Sequence, residues 1–386
     1  MYSFARSNGI LAPGAWMEPN ADAAPDALRD GARNLLVGCA GARPGESLLI
    51  LREDPALGYF GEGLAEAVAA AASELGLRTT LMAAPFSPDS ASLDANQTAA
   101  VAAHDHALFL ARAGDQMRFR AMPPGSRPVV SYVLDRQMLA SPFGRADYAA
   151  FVALKACFDA LFADAREIRA TCPLGTDIRG RAPRPAGSAG PVDVSIKRFP
   201  MSVFAPLDAQ DFEGQVAVAR LLVGTGSRYY EPYGLPLGST LSARIAGGRL
   251  LGWDGDAGEV GRAEAHYAHV AALFGIDGGV VHSWHAGIHP GCAFAGSAHD
   301  AYGRWSGSAF GNPRLLHFHT CGAYAPGEIC WNVLDPTIMV DNAVVFDCGR
   351  IVIDAVPGAR AILEASPDVA ALFAAPDPRT GLEAAP

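Results

Sequence analysis

Short apolar runs alternate with alanine-rich stretches through the first half of the chain, and the spacing predicts strands and helices in turn. Residues 47–51 form an apolar run of strand length, and an alanine-rich helical segment follows over 61–75. Residues 78–82 read as the next strand, 97–103 as a second helix, 107–111 and 128–133 as further strands, and 148–162 as a longer helix. Alternation of this kind predicts a parallel sheet covered by helices. Beyond Ala170 the punctuation changes. Gly175, Gly180, Gly187 and Gly190 break the chain around an Arg-Ala-Pro-Arg-Pro-Ala tract, and short strands with turn signals are expected at 192–196, 216–222, 240–245, 344–346 and 351–353. One helix, 263–274, interrupts them. The expected fold is therefore an α/β N-terminal domain with a parallel sheet over residues 1–167. A β-rich, α+β C-terminal metal-binding domain follows over 168–386. The tail from Ala375 reads as loosely ordered, and no internal repeat is present.

The second half also carries the chemistry. Six of the ten histidines fall between His282 and His319, and imidazole is the commonest protein ligand for zinc, iron, copper and nickel. His317 and His319 are spaced i, i+2. On a strand begun by Leu315 and Leu316, that spacing puts both rings on one face, within reach of one cation. Glu328 follows a Gly/Pro-bearing turn and can bring an anionic oxygen to the same place. Trp284, Trp305 and Trp331 are expected either in the core or around an aromatic substrate. His289, beside Pro290, is expected to support a ligand or to be structural rather than to ligate. The glycine- and serine-rich stretch from His299 to Gly311 reads as a mobile loop. His104 and His106 read as surface positions, and Tyr229, Tyr230 and Tyr233 as a loop facing a partner subunit.

Composition narrows the partners. A chain of 386 residues, half of them hydrophobic, can bury two domain cores, and a net charge of −10 with no Lys/Arg-rich run argues against nucleic acid or an anionic membrane surface. There is no run of eighteen apolar residues and no apolar segment near the start of the kind a secretory signal requires, so the cytoplasm is the expected compartment. Seven scattered cysteines without a CxxC pair read as reduced thiols. Neither GxGxxG nor GxxxxGK[ST] occurs, so the α/β half carries no nucleotide-binding signature. Ligands of such sheets bind beyond the carboxyl ends of the strands, where Arg112 is placed to meet a substrate anion.

Several short segments, in order, resemble those of metalloaminopeptidases of the aminopeptidase T type and of the related iron(II) enzyme 2,5-dihydroxypyridine 5,6-dioxygenase. They are Thr171-Cys172-Pro173-Leu174-Gly175-Thr176-Asp177-Ile178, then Phe204-Ala205-Pro206 with Glu213-Gly214-Gln215-Val216. Ala286-Gly287-Ile288-His289-Pro290 and Asp335-Pro336-Thr337-Ile338-Met339-Val340-Asp341 complete the set. The resemblance covers residues 168–355 and implies a metal site. It also marks departures. Met201 stands where the aminopeptidases place a metal-binding glutamate, and a thioether cannot replace a hard carboxylate there. A second glutamate position is filled from His282-Ser283-Trp284-His285, and the H-x-D pair common to both relatives falls on Glu328-Ile329-Cys330. His317 and Tyr324 keep the spacing of a histidine and a tyrosine in the aminopeptidases.

These departures imply a rearranged single-metal site drawn from His285, His317, His319 and Glu328, with His282 as the competitor of His285. The expected metal is Fe(II), with Zn or Mn as alternatives. The expected reaction is dioxygenation of a small hydroxylated aromatic or heteroaromatic substrate, the partners being that small molecule, dioxygen and further copies of the chain in a homo-oligomer. Arg112 and Tyr324 are the expected catalytic residues. The competing expectation is an aminopeptidase-type metallohydrolase with Glu328 as general base.

Overall fold

The computed structural model describes residues 24–88, 92–181, 194–323 and 327–382. Its N-terminal half is built on a five-stranded, all-parallel sheet in the order Arg78–Ala83, Ser47–Arg52, His106–Leu110, Pro128–Ser131 and Lys197–Phe199. The three strands inside it, Ser47–Arg52, His106–Leu110 and Pro128–Ser131, are buried almost throughout, as continuous apolar runs covered by helices on both faces must be. Helix Ala95–Ala103 starts at a reciprocal capping box between Asp94 and Gln97. Helix Tyr148–Ala163 is capped by Asp147, whose side chain accepts from the Ala149 and Ala150 amides. That helix joins the two halves, because Phe151, Leu154, Phe158 and Phe162 are buried in the core of the C-terminal sheets.

The last parallel strand arrives late in the chain. Ile168–Thr171 and Asp177–Gly180 already belong to the C-terminal half when Lys197–Phe199 returns to close the parallel sheet. This return carries Arg198 back to the boundary between the halves.

The C-terminal half contains two antiparallel sheets. One has six strands in the order Gly234–Pro236, Leu221–Gly224, Ile329–Leu334, Leu315–Thr320, Val281–Ala286 and Leu207–Asp208. The other has eight and runs from Arg249–Asp254 through Leu241–Ala246, Glu213–Val218, Asp177–Gly180, Ile168–Thr171, Thr337–Val340 and Ala343–Asp347 to Arg350–Ile351. Trp284, Phe318 and Trp331 from the first share one core with Ile178, Val216 and Leu241 from the second. The fold class expected from the sequence is the one observed.

Local expectations differ in instructive places. The run at 216–222 is two strands in two different sheets, because Arg220 adopts a left-handed conformation with φ of 55° and turns the chain between them. Residues 194–196 form no strand, and the pairing begins at Lys197; Val192 and Asp193 lie outside the described residues. The helix expected from 263 begins at Ala257, where the Asp256 carboxylate accepts from two amides and outweighs the interior glycines Gly258 and Gly261.

The stretch expected to be mobile is packed instead. It forms the helical turns Ala298–Asp300, Tyr302–Ser306 and Ala309–Gly311 around a fully buried Trp305. The tail is docked as well. Trp305 Nε1 donates to Thr380 O at 2.6 Å, Asn312 Nδ2 donates to Asp377 O at 3.1 Å, and the Ala298 amide donates to Gly381 O at 2.8 Å. Its backbone bonds, rather than its side-chain composition, order it. His106 is fully buried, its ring bonded to Glu46, and is not a surface residue. Tyr230 packs inward, its hydroxyl donating to the Glu328 carbonyl at 2.8 Å. Among the described residues no helix is long and apolar enough to cross a membrane, and all seven cysteines are free.

Candidate metal centre

Two neighbouring antiparallel strands build the centre. In the register of Val281–Ala286 against Leu315–Thr320, His285 stands directly opposite His317. The two-residue period of the strand then brings His319 to the same face as His317. One ring nitrogen from each of His285, His317 and His319 lies within 4.8 Å of the others, and all three residues are buried. Among the described residues this is the group of histidine, cysteine and acidic side chains that converges as metal ligands do.

Hydrogen bonds fix much of the protonation pattern. His285 Nδ1 is 2.9 Å from Phe204 O, a carbonyl that can only accept, so the proton is on Nδ1 and the Nε2 lone pair points elsewhere. It points at His319 Nε2, 3.2 Å away. His319 Nδ1 has Cys330 Sγ at 3.7 Å, its cross-strand neighbour. His317 stacks on Phe310, with ring centroids 4.1 Å apart and planes at 17°. Its Nδ1 is buried without a hydrogen-bond partner.

Burial pulls His317 and His319 well below the usual imidazole range, and the neighbouring imidazoles and the Arg118 guanidinium push the same way. The rings are therefore neutral. Neutral, buried nitrogens brought together are costly for the protein alone and are what a divalent cation requires. One ring nitrogen of His317 and the facing Nε2 atoms of His285 and His319 fit a metal ion. The Phe204 carbonyl orients the His285 ring, as a hydrogen bond on the other ring nitrogen commonly does for ligating histidines.

Of the other expected site residues, Glu328 and Arg112 are held by other partners. Glu328 is buried beyond the histidine strand, with Oε1 held by Arg228 at 2.8 Å and Oε2 accepting from Ser227 Oγ at 3.2 Å. Its carboxyl is not part of the three-histidine group, because Arg228 holds it. Burial raises its pKa above the ordinary glutamate value, against the opposing pull of Arg228. Arg112 grips Glu53 through its side chain and backbone amide. Its guanidinium lies 3.4 Å from the centre of the Phe86 ring, inside the N-terminal half. Tyr324 lies outside the described residues. His282 turns its Nδ1 to Ser283 Oγ at 2.8 Å and is not part of the three-histidine group, which takes in His285. His289 is structural: it is fully buried and stacks on Phe151 at 3.9 Å. The three tryptophans at 284, 305 and 331 are core residues.

The histidines open into a cavity of about 100 Å³ shared by both halves of the chain. The rest of its lining was not evident in the sequence. Asp115, Arg118, Phe119 and Tyr132 come from the parallel-sheet half, Arg198 from the returning strand, and Ser306, Ser308 and Phe310 from the packed turns. Arg118 forms an ion pair with Asp115 at 2.9 Å and donates to Thr225 O at 2.9 Å across the boundary between the halves. Tyr132 donates to the other Asp115 oxygen at 2.8 Å. The one sequence signal was the charged-aromatic run Asp115-Gln116-Met117-Arg118-Phe119-Arg120, just beyond the end of a strand.

No protein-family model matches the sequence, and no curated protein matches it. Among solved structures the chain is similar in fold to the 2,5-dihydroxypyridine dioxygenase of Pseudomonas putida KT2440. The TM-score is 0.57 and the sequence identity 14%, over 88% of this chain and 99% of that one. Wild-type AmpT from Thermus thermophilus gives a TM-score of 0.47 at 12% identity, over 85% of this chain and 99% of that one. The likeness to the dioxygenase is one of fold, and it extends over both halves of the molecule.

Proposed function

We propose that the protein is a mononuclear metal-dependent dioxygenase of small hydroxylated aromatic or heteroaromatic rings, with iron(II) as its metal. The observation that carries this reading is the set of three buried imidazoles on facing strands, lining a cavity to which both halves contribute. The fold similarity to a dihydroxypyridine dioxygenase supports it. His285, His317 and His319 would hold the metal. An iron(II) ion there would supply the electron path between an electron-rich ring and dioxygen.

The chain's own contribution is to position and to exclude water. The cavity is of the same order as the ~150 Å³ apolar cavities that admit a single benzene ring. Phe119 and Phe310 give it flat apolar walls. Burial, with Asp115 beside it, holds the Tyr132 hydroxyl far above the ordinary phenol range, so it stays protonated; its proton goes to Asp115, and its oxygen is left to accept from a substrate hydroxyl.

A hydrolytic reading has less support. Asp115 is the carboxylate among the described residues lining the cavity, and Arg118 and Tyr132 already occupy it. Glu328, the expected general base, is held by Arg228. Elemental analysis of anaerobically purified protein, followed by an oxygen electrode with dihydroxypyridines, catechols and hydroquinones, tests the proposal. About one iron per chain and oxygen uptake only with a ring substrate are expected. Turnover at the same rate without oxygen, or a pair of zinc ions per chain, would overturn it in favour of a hydrolase.

A further inference from the structure

The three rings of the metal centre differ in what their other nitrogen meets. His285 Nδ1 donates to the Phe204 carbonyl at 2.9 Å, His319 Nδ1 has the Cys330 sulfur at 3.7 Å, and His317 Nδ1 is buried without a hydrogen-bond partner. A carbonyl only accepts, so it permits one placement of the proton on a neutral ring. A thiol both donates and accepts, so it permits two.

The need for two follows from the face that the rings share. The Nε2 atoms of His285 and His319 are 3.2 Å apart. Two lone pairs do not face each other at that distance unless a proton or a cation lies between them. A neutral His285 cannot supply the proton, because its own is on Nδ1. Without a cation, therefore, a neutral His319 carries its proton on Nε2 and donates to His285. Its Nδ1 is then a bare lone pair, and the partner there must be a donor. With a cation between the rings, His319 turns its lone pair to the cation and holds its proton on Nδ1. The partner there must then be an acceptor.

Cys330 stands where both demands are met. It is the cross-strand partner of His319 in the register of Leu315–Thr320 against Ile329–Leu334, and it is fully buried. Burial keeps a thiol protonated, with a hydrogen to give and sulfur lone pairs to receive. The sulfur sits on the Nδ1 side of the ring and is not a member of the three-histidine group, so it partners a ligand rather than adding a fourth.

We propose that Cys330 is a positioning residue of the centre. Its thiol donates to His319 Nδ1 when no metal is bound and accepts from it when one is, so that His319 changes tautomer on loading while His285 keeps its own. The inference rests on the reading of the three histidines as a metal site. In the exchange the ring loses the proton at Nε2 and takes one at Nδ1, by way of water. It stays neutral, and the thiol keeps its own proton. An acceptor-only partner at this position would hold the two Nε2 lone pairs against each other whenever the cation is absent.

The test uses zinc, a diamagnetic ion, and protein labelled with nitrogen-15 in its histidines, whose ring-nitrogen shifts read the tautomer directly. In the chelator-treated protein His319 should carry its proton on Nε2, and in the zinc-loaded protein on Nδ1. His285 should hold its Nδ1 proton in both. Partners of ligating rings commonly change metal affinity by about 10–100-fold when removed, so Cys330→Ala should bind zinc about tenfold more weakly in a competition titration with a chelator. Cys330→Ser, which still donates and accepts, should stay within about threefold of the unaltered protein.

A His319 proton already on Nδ1 in the chelator-treated protein overturns the inference, and so does an affinity that Cys330→Ala leaves unchanged. Equal weakening in Cys330→Ala and Cys330→Ser overturns it too, because the sulfur would then act by its bulk alone. These failures leave the metal centre and the oxygenase reading standing. A chain that takes up neither zinc nor iron removes all three.

Discussion

Two buried polar clusters sit on adjoining strands of one sheet, and they solve the same problem in opposite ways. Around Glu328 every group finds a partner within the chain: Arg228 and Ser227 on the carboxylate, Tyr230 on the carbonyl. A few residues away, across the His319–Cys330 pair, three imidazoles converge and one ring nitrogen finds no partner at all. The first cluster is closed within the chain. The second is left open, and an open buried site is where a ligand belongs. A carboxylate is not a metal ligand because it is near histidines in sequence; it must also be free of a stronger claimant, and Arg228 is that claimant.

The largest expected effect separates the clusters by metal content. His317→Ala and His319→Ala should each lower bound metal from about one per chain to less than a tenth of that, with the far-ultraviolet circular dichroism unchanged. Glu328→Gln should leave the metal in place. Stoichiometric loss of metal from Glu328→Gln, measured by mass spectrometry, would return the carboxylate to the ligand set and break the contrast.

A second effect separates them by stability. Arg228→Met leaves a buried carboxylate with reduced compensation and should cost about 1–3 kcal/mol in urea unfolding. Combining it with Glu328→Gln should recover part of that loss, since the charge needing a partner is gone. Metal content should not change in either variant. An unaltered midpoint for Arg228→Met would mean that the closed cluster contributes nothing to the fold.

Much of this was legible in the sequence, and the division is physical. The i, i+2 spacing of His317 and His319 reports directly on geometry because a strand has a fixed period, and the alternation of elements fixes a parallel sheet in the same way. What depends on partners distant in the chain was not legible. Nothing near Glu328 announces Arg228, one hundred residues away, and nothing near Arg112 announces Glu53, fifty-nine residues away. Arg198 reaches the cavity only because the chain re-enters the parallel sheet after starting the next one. The tail and the 299–311 turns misled for a related reason: small and polar residues there are ordered by backbone hydrogen bonds, which composition does not encode.

Acid sets the two kinds of buried group against each other. Burial lowers His266 to about 4 and His289 to about 3. Above ~6.5 such a histidine is neutral both folded and unfolded and contributes no pH dependence. Below it the unfolded chain takes up a proton that the folded chain refuses, so stability falls as pH drops from ~6.5 toward those values. Glu328 works the other way, because a carboxyl raised by burial gains stability as pH falls and loses it as pH rises through its folded value. The unfolding midpoint of the metal-free protein should therefore decline between pH 7 and 5. His266→Leu should flatten the decline and Glu328→Gln should steepen its acid end. A midpoint that rises over that interval would show the carboxyl dominating.

The smallest effect asks how tightly the open cluster is held open. His285 is fixed by a backbone carbonyl, but His317 has no such anchor on Nδ1 and is oriented by stacking on Phe310. Residues that orient a ligating ring typically change metal affinity by about 10–100-fold when removed, and a stacking contact, lacking the direction of a hydrogen bond, belongs at the lower end. Phe310→Ala should thus weaken metal binding about tenfold in a competition titration with a chelator, while stoichiometry at saturating metal stays at one. Phe310→Leu fills the same wall without the aromatic face and should fall between the two. Unchanged affinity in Phe310→Ala would mean that the strand register alone aims His317, and that the openness of this cluster is a property of the sheet rather than of the cavity that borders it.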